Sequence, residues 1–433
     1  MLGTNKTDVT MHRVLASALL LLSLAGCNSK PVEPTVGSYR AVLQLPGGET
    51  PFGLQIAREN GAYVMYLTNG NERTRVPDVR VVNREVQADF PGYENSLRAS
   101  IERDSLRGSV TLIKDGGVEQ NIPFAATLGE QYRFFKDPQT DNFDVAGRWQ
   151  LELTNDAGES TQAVAVFEQE HAKVTGTVMT PTGDHRFLEG EVHGDEIWLS
   201  TFAGGLAYLY KLKVNAGGEL QGEYWQGLKS HAKVAARRNA DARLVELDTK
   251  LKSAAQRFDF TFRDLEGRNV SLSDARFRGK VVLVTLGGSW CPNCHDEAMF
   301  LAPVYREYRE RGFEIIALMF ERHGDFALAA KAVRNYRNDL GIEFTTLIAG
   351  VAPAEDASQK LPALEQVYGY PTTVFVDRQG KVRKIHTGFT GPATGEHYTE
   401  YVREFRALVD ELLAESAGTA PTSSAAEKSP AAT

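Results

Sequence analysis

The sequence predicts two kinds of structure in one chain. An all-β N-terminal region with signs of an internal duplication precedes an α/β C-terminal domain, in which helices flank a mixed sheet. Three observations carry this. Up to about residue 235, short runs of alternating apolar and polar residues are separated by Gly, Asn and Asp turns, the pattern of half-buried strands. GSYRAVLQL from Gly37 is echoed by GRWQLELTN from Gly147, and Leu106-Arg107-Gly108 by Leu220-Gln221-Gly222. From Phe258 onward, short apolar runs alternate with stretches of helical periodicity. At 433 residues, 42% hydrophobic and 24% charged, the composition is that of a globular protein of roughly two or three domains. A net charge of -8 argues against nucleic acid as a partner.

Residues 1–27 read as a targeting signal. Lys6, His12 and Arg13 precede an apolar run over 14–24, too short for a bilayer span of about 20 residues and therefore read as a signal peptide. The run ends Leu24-Ala25-Gly26-Cys27, which resembles the bacterial lipobox. That resemblance implies a lipoprotein lipidated at Cys27 and anchored in the cell envelope. Asn28, rather than Asp, implies sorting to the outer membrane, facing the periplasm. Residues 28–36 form a polar, proline-bearing tether.

The β-rich region, 37–235, divides into 37–130 and 147–235: two similar sheet units, or one large barrel or sandwich made by duplication. Asn69-Gly70 and Asp115-Gly116-Gly117 are hairpin-type turns. His171, His185, His193 and His231 show no metal spacing. Trp149, Trp198, Tyr208, Tyr210, Tyr224 and Trp225 read as strand packing, with a stacking surface for a ligand or partner as the alternative. Leu244, Leu247 and Leu251 share one helical face, so 238–257 is expected to be a helical connector.

In the C-terminal domain, 258–415, a hairpin is expected over 262–270, strands over 281–286, 313–320, 344–349, 373–377 and 382–387, and helices over 291–311, 326–340 and 400–413. Residues 351–361 read as a polar loop or insertion. The tail, 416–433, is Ala/Ser/Thr/Pro-rich and expected to be disordered.

The chemistry lies in GKVVLVTLGGSWCPNCHDE, 279–297. Here a buried strand passes through Gly287-Gly288 into a helix, and Cys291-Pro292-Asn293-Cys294 sits at the junction. A cysteine at a helix N-terminus has its thiolate favoured by free N–H groups and the macrodipole. Pro292 suits the first helical turn, where its missing N–H is not needed. Cys294 is placed to resolve a mixed disulfide, and Glu297 to move a proton to or from Cys294. His295 reads as a solvated helix residue. Structural zinc would need two further ligands, so no metal is expected.

Trp290-Cys291-Pro292-Asn293-Cys294 after a buried strand resembles the thioredoxin fold. Phe258-Asp259-Phe260, Asp264-Leu265-Glu266-Gly267 and the downstream Gly369-Tyr370-Pro371-Thr372-Thr373-Val374-Phe375-Val376-Asp377 resemble its extracytoplasmic TlpA/ResA-like redoxin branch. The resemblance implies that Cys291 and Cys294 are a redox-active disulfide and that Pro371 is cis and packs against it. It further implies that Glu297 handles protons, with Trp290, Pro292 and Tyr370 in support. Two departures bear on the redox potential. Proline follows the first cysteine instead of preceding the second, and Thr285 stands where thioredoxin carries a buried acid.

The expected function is an envelope thiol–disulfide oxidoreductase reducing protein disulfides. It would need no cofactor and would draw electrons from a membrane donor. A lipid-anchored binding protein with an accessory redox domain is the alternative. A thiol peroxidase lacks support, because Val284 and Gly288 occupy the positions where P-x-x-x-T/S-x-x-C requires Pro and Thr or Ser.

Overall fold

The computed structural model describes residues 33–139, 143–247, 249–252 and 258–416. The expected signal peptide with Cys27, most of the tether, part of the connector and nearly all of the tail lie outside the described residues. Among the described residues, no helix is long and apolar enough to cross a membrane.

The β-rich region forms two closed barrels. In the first, β1 (Gly37–Leu45), β2 (Gly48–Glu59), β3 (Ala62–Asn69), β4 (Glu72–Val82), β5 (Glu85–Asp89), β6 (Ser96–Glu102), β7 (Ser105–Lys114) and β8 (Val118–Leu128) follow one another antiparallel, and β8 returns to pair with β1. The second contains β9 (Gly147–Asn155), β10 (Ser160–Glu170), β11 (Lys173–Thr180), the two-residue β12 (Gly183–Asp184), β13 (Leu188–His193), β14 (Glu196–Phe202), β15 (Ala207–Val214), β16 (Leu220–Gln226) and β17 (Ser230–Arg238). Its ring closes through β17–β9, while β12 hangs from β11 outside the circuit. Closure removes the exposed edges that short strands would otherwise present. Eight strands enclose about the volume that inward side chains can fill. In β1, Tyr39, Ala41, Leu43 and Leu45 point inward, and Trp149 is fully buried in the second barrel with its Nε1 donating to the Val145 carbonyl at 2.8 Å.

The sequence echo has a structural counterpart. Its first motif occupies the first strand of each ring, and its second motif the seventh, β7 and β16. The motif glycines have the same cause. A Cβ on Gly108 would lie 1.9 Å from the Arg98 carbonyl oxygen, and one on Gly222 2.0 Å from that of Lys211.

The C-terminal domain holds β18 (Thr261–Asp264), β19 (Asn269–Ser271), β20 (Val281–Gly287), α1 (Pro292–Tyr308), β21 (Phe313–Glu321), α2 (Phe326–Asp339), β22 (Thr345–Val351), α3 (Ala354–Lys360), β23 (Thr372–Val376), β24 (Val382–Thr387) and α4 (Glu396–Ala414). Its seven-stranded sheet has the order β19-β18-β22-β21-β20-β23-β24. The central trio β20, β21 and β22 is parallel and the remaining pairings are antiparallel, a mixed sheet. One apolar core lies between the sheet and α1, α2 and α4. The other contains α3 and both redox cysteines.

Two expectations are corrected. Residues 351–361 are not merely a loop but contain α3. The connector helix over 238–257 does not form in its described part. β17 already takes the chain to Arg238, and the described stretch after it turns at 240–241 and continues without helix. Leu251 makes an antiparallel bridge to Leu364, and Lys252 N and Glu365 N donate to the carbonyls of Ala363 and Lys250 at 2.9 and 2.8 Å. Main-chain pairing with the redox domain satisfies donors that a helix would have satisfied internally, so tertiary context overrides a weak local preference.

The barrels and the redox domain interlock. Asn69 Nδ2 donates to the Phe202 carbonyl at 3.0 Å, joining barrel to barrel. Gly92 N donates to Asp339 Oδ2 at 2.7 Å, joining the first barrel to α2. Gly391 N donates to Asp184 Oδ2 at 2.5 Å, joining the second barrel to the chain before α4.

Candidate active site

Every residue of β20 is buried, as a central strand covered on both faces requires. The strand ends at Gly287-Gly288. A Cβ on Gly288 would lie 2.3 Å from Trp290 Nε1 and 2.7 Å from the Phe320 carbonyl oxygen. Glycine therefore permits the turn in which Trp290 Nε1 donates to that oxygen at 2.8 Å. Trp290 also meets Tyr370 edge-on, with ring centroids 6.0 Å apart.

Cys291 is the N-cap of α1, and its Sγ accepts from the Cys294 N–H at 3.2 Å. Pro292 stands in the first turn, as expected. The cysteines are joined by a disulfide with their Cα atoms 5.2 Å apart, inside the range such a bridge allows. The Tyr370–Pro371 peptide is cis, and the Tyr370 carbonyl oxygen lies 3.8 Å from Cys291 Sγ. The structure thus brings together Trp290, Cys291, Pro292, Cys294, Tyr370 and Pro371.

Glu297 is 3% exposed and lies beneath the pair. Thr285 and Thr373 donate to its two carboxylate oxygens at 2.5 and 2.6 Å. Burial pushes its carboxyl up to about 7, against the opposing pull of both threonines. Thr285 occupies the strand position where thioredoxin has its acid, so here the helix supplies the carboxylate and the strand a hydroxyl. Glu297 and Cys294 both line an internal cavity of about 10 Å³, near the smallest space that holds one water.

Three features escaped the sequence reading. Glu321 closes β21 after the apolar run Ile315 to Phe320 and accepts from Ser289 N and Oγ at 2.9 and 2.6 Å, with burial pushing its carboxyl up to about 7. An acid ending that apolar run is the available signal. His295 is not solvated, contrary to expectation. It is 3% exposed, its Nε2–H donates to the Ser289 carbonyl at 2.7 Å, and Tyr93 of the first barrel stacks on it at 3.7 Å between centroids. Burial holds it neutral, lowering its pKa to about 3. The third feature is Arg186, buried between Glu72 of β4 and Asp296 of α1, whose Oδ1 lies 2.7 Å from Nη1. Burial, with Asp184 and Glu72 nearby, pushes Asp296 up to about 7 despite this guanidinium. No local pattern marks this network, which draws on both barrels and the helix.

The second barrel also brings aromatic residues to the site. His185 stacks on Tyr208 at 4.4 Å and on Tyr224 at 5.4 Å, and burial lowers its pKa to about 3. These rings face a cavity of about 780 Å³ that Trp290, Pro292, Asn293 and Tyr370 line from the other side.

Comparison with known proteins falls on the redox domain. The AhpC/TSA family model matches residues 253–385, a stretch containing Cys291, Cys294, Glu297 and Pro371. The thiol-disulfide oxidoreductase ResA of Bacillus anthracis is 32% identical over 133 residues, 31% of this chain and 68% of that protein. ResA of Geobacillus thermodenitrificans (strain NG80-2) is 33% identical over 130 residues, 30% of this chain and 66% of that protein. A solved thiol:disulfide interchange protein of the thioredoxin family from Chlorobium tepidum TLS is 20% identical, covers 39% of this chain and 99% of its own, and has a TM-score of 0.28. Through a C-terminal domain built around this cysteine pair, the chain belongs to the TlpA/ResA-like redoxins, thioredoxin-fold thiol–disulfide oxidoreductases.

Proposed function

We propose that the protein is a reductase of protein disulfides, lipid-anchored through Cys27 on the periplasmic side of the bacterial envelope. The observation that carries the chemistry is one juxtaposition: Cys291, the N-cap of α1, is bridged to Cys294 beside cis-Pro371, with the buried Glu297 one turn further along the helix. In the dithiol form, the Cys291 thiolate attacks one sulfur of a substrate disulfide. The substrate S–S bond breaks and one substrate thiolate leaves. Cys294 gives its proton to Glu297, attacks Cys291 Sγ and releases the second substrate thiolate. Two electrons pass from the pair to the substrate, and a membrane dithiol donor restores the pair. Trp290, Pro292, Tyr370 and Pro371 shape the surface on which the substrate docks. The lipobox at Leu24 to Cys27 supports the anchor and the location.

Thiol trapping in intact cells tests the direction of flow. Acid quenching followed by alkylation is expected to find most of the membrane-bound protein as dithiol, and Cys27→Ala to release it to the soluble fraction. A pool resting as disulfide contradicts the reductase reading.

A second reading, thiol peroxidase, is favoured by the AhpC/TSA match. Val284 and Gly288 stand against it, since both peroxide-binding positions are apolar or lack a side chain. Hydrogen peroxide turnover faster than disulfide reduction decides for it.

A further inference from the structure

The redox pair is almost covered: Cys291 is 5% and Cys294 4% exposed. The cover comes from the barrels. A Cβ on Gly183 would lie 1.8 Å from Asn293 Nδ2, and one on Gly205 3.1 Å from Pro292 Cγ. Two glycines of the second barrel thus bring bare backbone against both residues between the cysteines. Tyr93 of the first barrel seals the adjoining side through its stack on His295. A cavity of about 780 Å³ adjoins the pair, lined by its neighbours Trp290, Pro292, Asn293 and Tyr370, and falls within the roughly 300–1,000 Å³ of ligand sites.

Its far wall includes the stacked rings of His185, Tyr208 and Tyr224, which offer an aromatic surface with a neutral histidine in it. Its charges are few. Asp156 and Glu159 stand against Lys229, and His231 is engaged with Asp156 at 2.7 Å. A small disulfide bearing several carboxylates or phosphates would meet two acids and one lysine, a mismatch of sign. A folded protein with a surface disulfide would meet the barrel before the sulfur. A neutral or basic chain in extended form fits both the covered position of the pair and the charge.

We propose that this cavity binds an extended, cysteine-bearing polypeptide segment, and that an apolar or aromatic side chain of that segment packs on the Tyr208–His185–Tyr224 wall. The second barrel is then the specificity element of the enzyme. This rests on the reductase reading above.

The test uses the chain lacking residues 1–27, kept reduced by dithiothreitol. Four probes are compared: a short unstructured peptide carrying a disulfide beside an aromatic residue, hydroxyethyl disulfide, oxidised glutathione, and a folded protein with a surface disulfide. The peptide is expected to exceed the folded protein in kcat/KM by at least about 10-fold. Tyr224→Ala removes one ring of the wall and is expected to lower kcat/KM for the peptide by about 10-fold, the loss of one aromatic contact. Ser230→Trp places a large ring at the cavity rim, where the native residue is exposed. It is expected to lower the ratio of peptide to hydroxyethyl disulfide rates by about as much, while the pair's reduction potential against dithiothreitol stays unchanged. Peptide rates unaffected by both substitutions overturn the proposal, as does a folded protein reduced as fast as the peptide. Preference for oxidised glutathione over the peptide overturns the substrate class. If the unsubstituted chain reduces none of the probes, it is the reductase reading that fails.

Discussion

Cys294→Ser is expected to turn the enzyme into a trap, while Cys291→Ser leaves it inert. Only the N-cap sulfur sits where free N–H groups of α1 and the macrodipole favour a thiolate, and Cys294 N already points at it at 3.2 Å. Cys291→Ser removes the attacking atom, so disulfide reduction falls to background, a loss of at least about 10⁴-fold. Cys294→Ser retains the attack and loses the resolving thiol. Mixed disulfides with substrate then accumulate, visible as adducts on non-reducing gels and cleaved by dithiothreitol. Adducts through Cys294 in the Cys291→Ser protein would reverse the assignment of the two sulfurs.

Replacing Glu297 with Gln is expected to slow resolution by about 10²-fold and to flatten its pH dependence, the usual scale for losing one positioned proton acceptor. Glutamine keeps the shape and can still pair with Thr285 and Thr373, so the change removes a proton site and little else. Because burial holds the carboxyl near 7, the resolving step of the unsubstituted enzyme should accelerate as pH rises through that value and the carboxylate forms. Rapid-quench measurement of mixed-disulfide decay between pH 5.5 and 8.5 checks this, and an inflection surviving in Glu297→Gln would assign it to another group.

The same shift has a consequence for stability, with a fixed sign. Glu297 binds its proton more tightly folded, near 7, than at its ordinary value of 4.5. Its contribution is therefore fully present below about 4.5 and is lost as pH rises through about 7. Denaturant midpoints should fall over that window, and by less in Glu297→Gln. Glu321 and Asp296 are raised to about 7 in the same direction, so the variant keeps part of the slope.

How much of this was legible in the sequence depended on how local the cause was. The cysteine pair, its helix and Glu297 lie within one strand–turn–helix passage, where periodicity and spacing suffice. Pro371 came only through the family resemblance, because nothing in its own neighbourhood distinguishes a cis bond. The alternation in 37–235 marks strands, but whether a strand series closes on itself depends on pairings such as β17 with β9, which the alternation does not encode. His295 was misread because its cover, Tyr93, comes from a distant turn of the first barrel. The connector was misread because Leu251 finds its partner at Leu364. The lack of a side chain at Gly183 and Gly205 lets the barrel cover the site, and nothing local to either glycine marks that role.

In the reductase reading proposed above, the pair donates electrons. An oxidant stabilises its thiolate strongly. Here the buried Glu297 shares a cavity of about 10 Å³ with Cys294, and its carboxylate disfavours a thiolate on that resolving sulfur. The measurement is the reduction potential of Cys291–Cys294 at pH 7, by equilibration with dithiothreitol in the chain lacking residues 1–27. A value near that of thioredoxin, about −270 mV, is the result this account predicts. A value near about −120 mV, about 7 kcal/mol away for a two-electron couple, would contradict it and make the protein a source of disulfides.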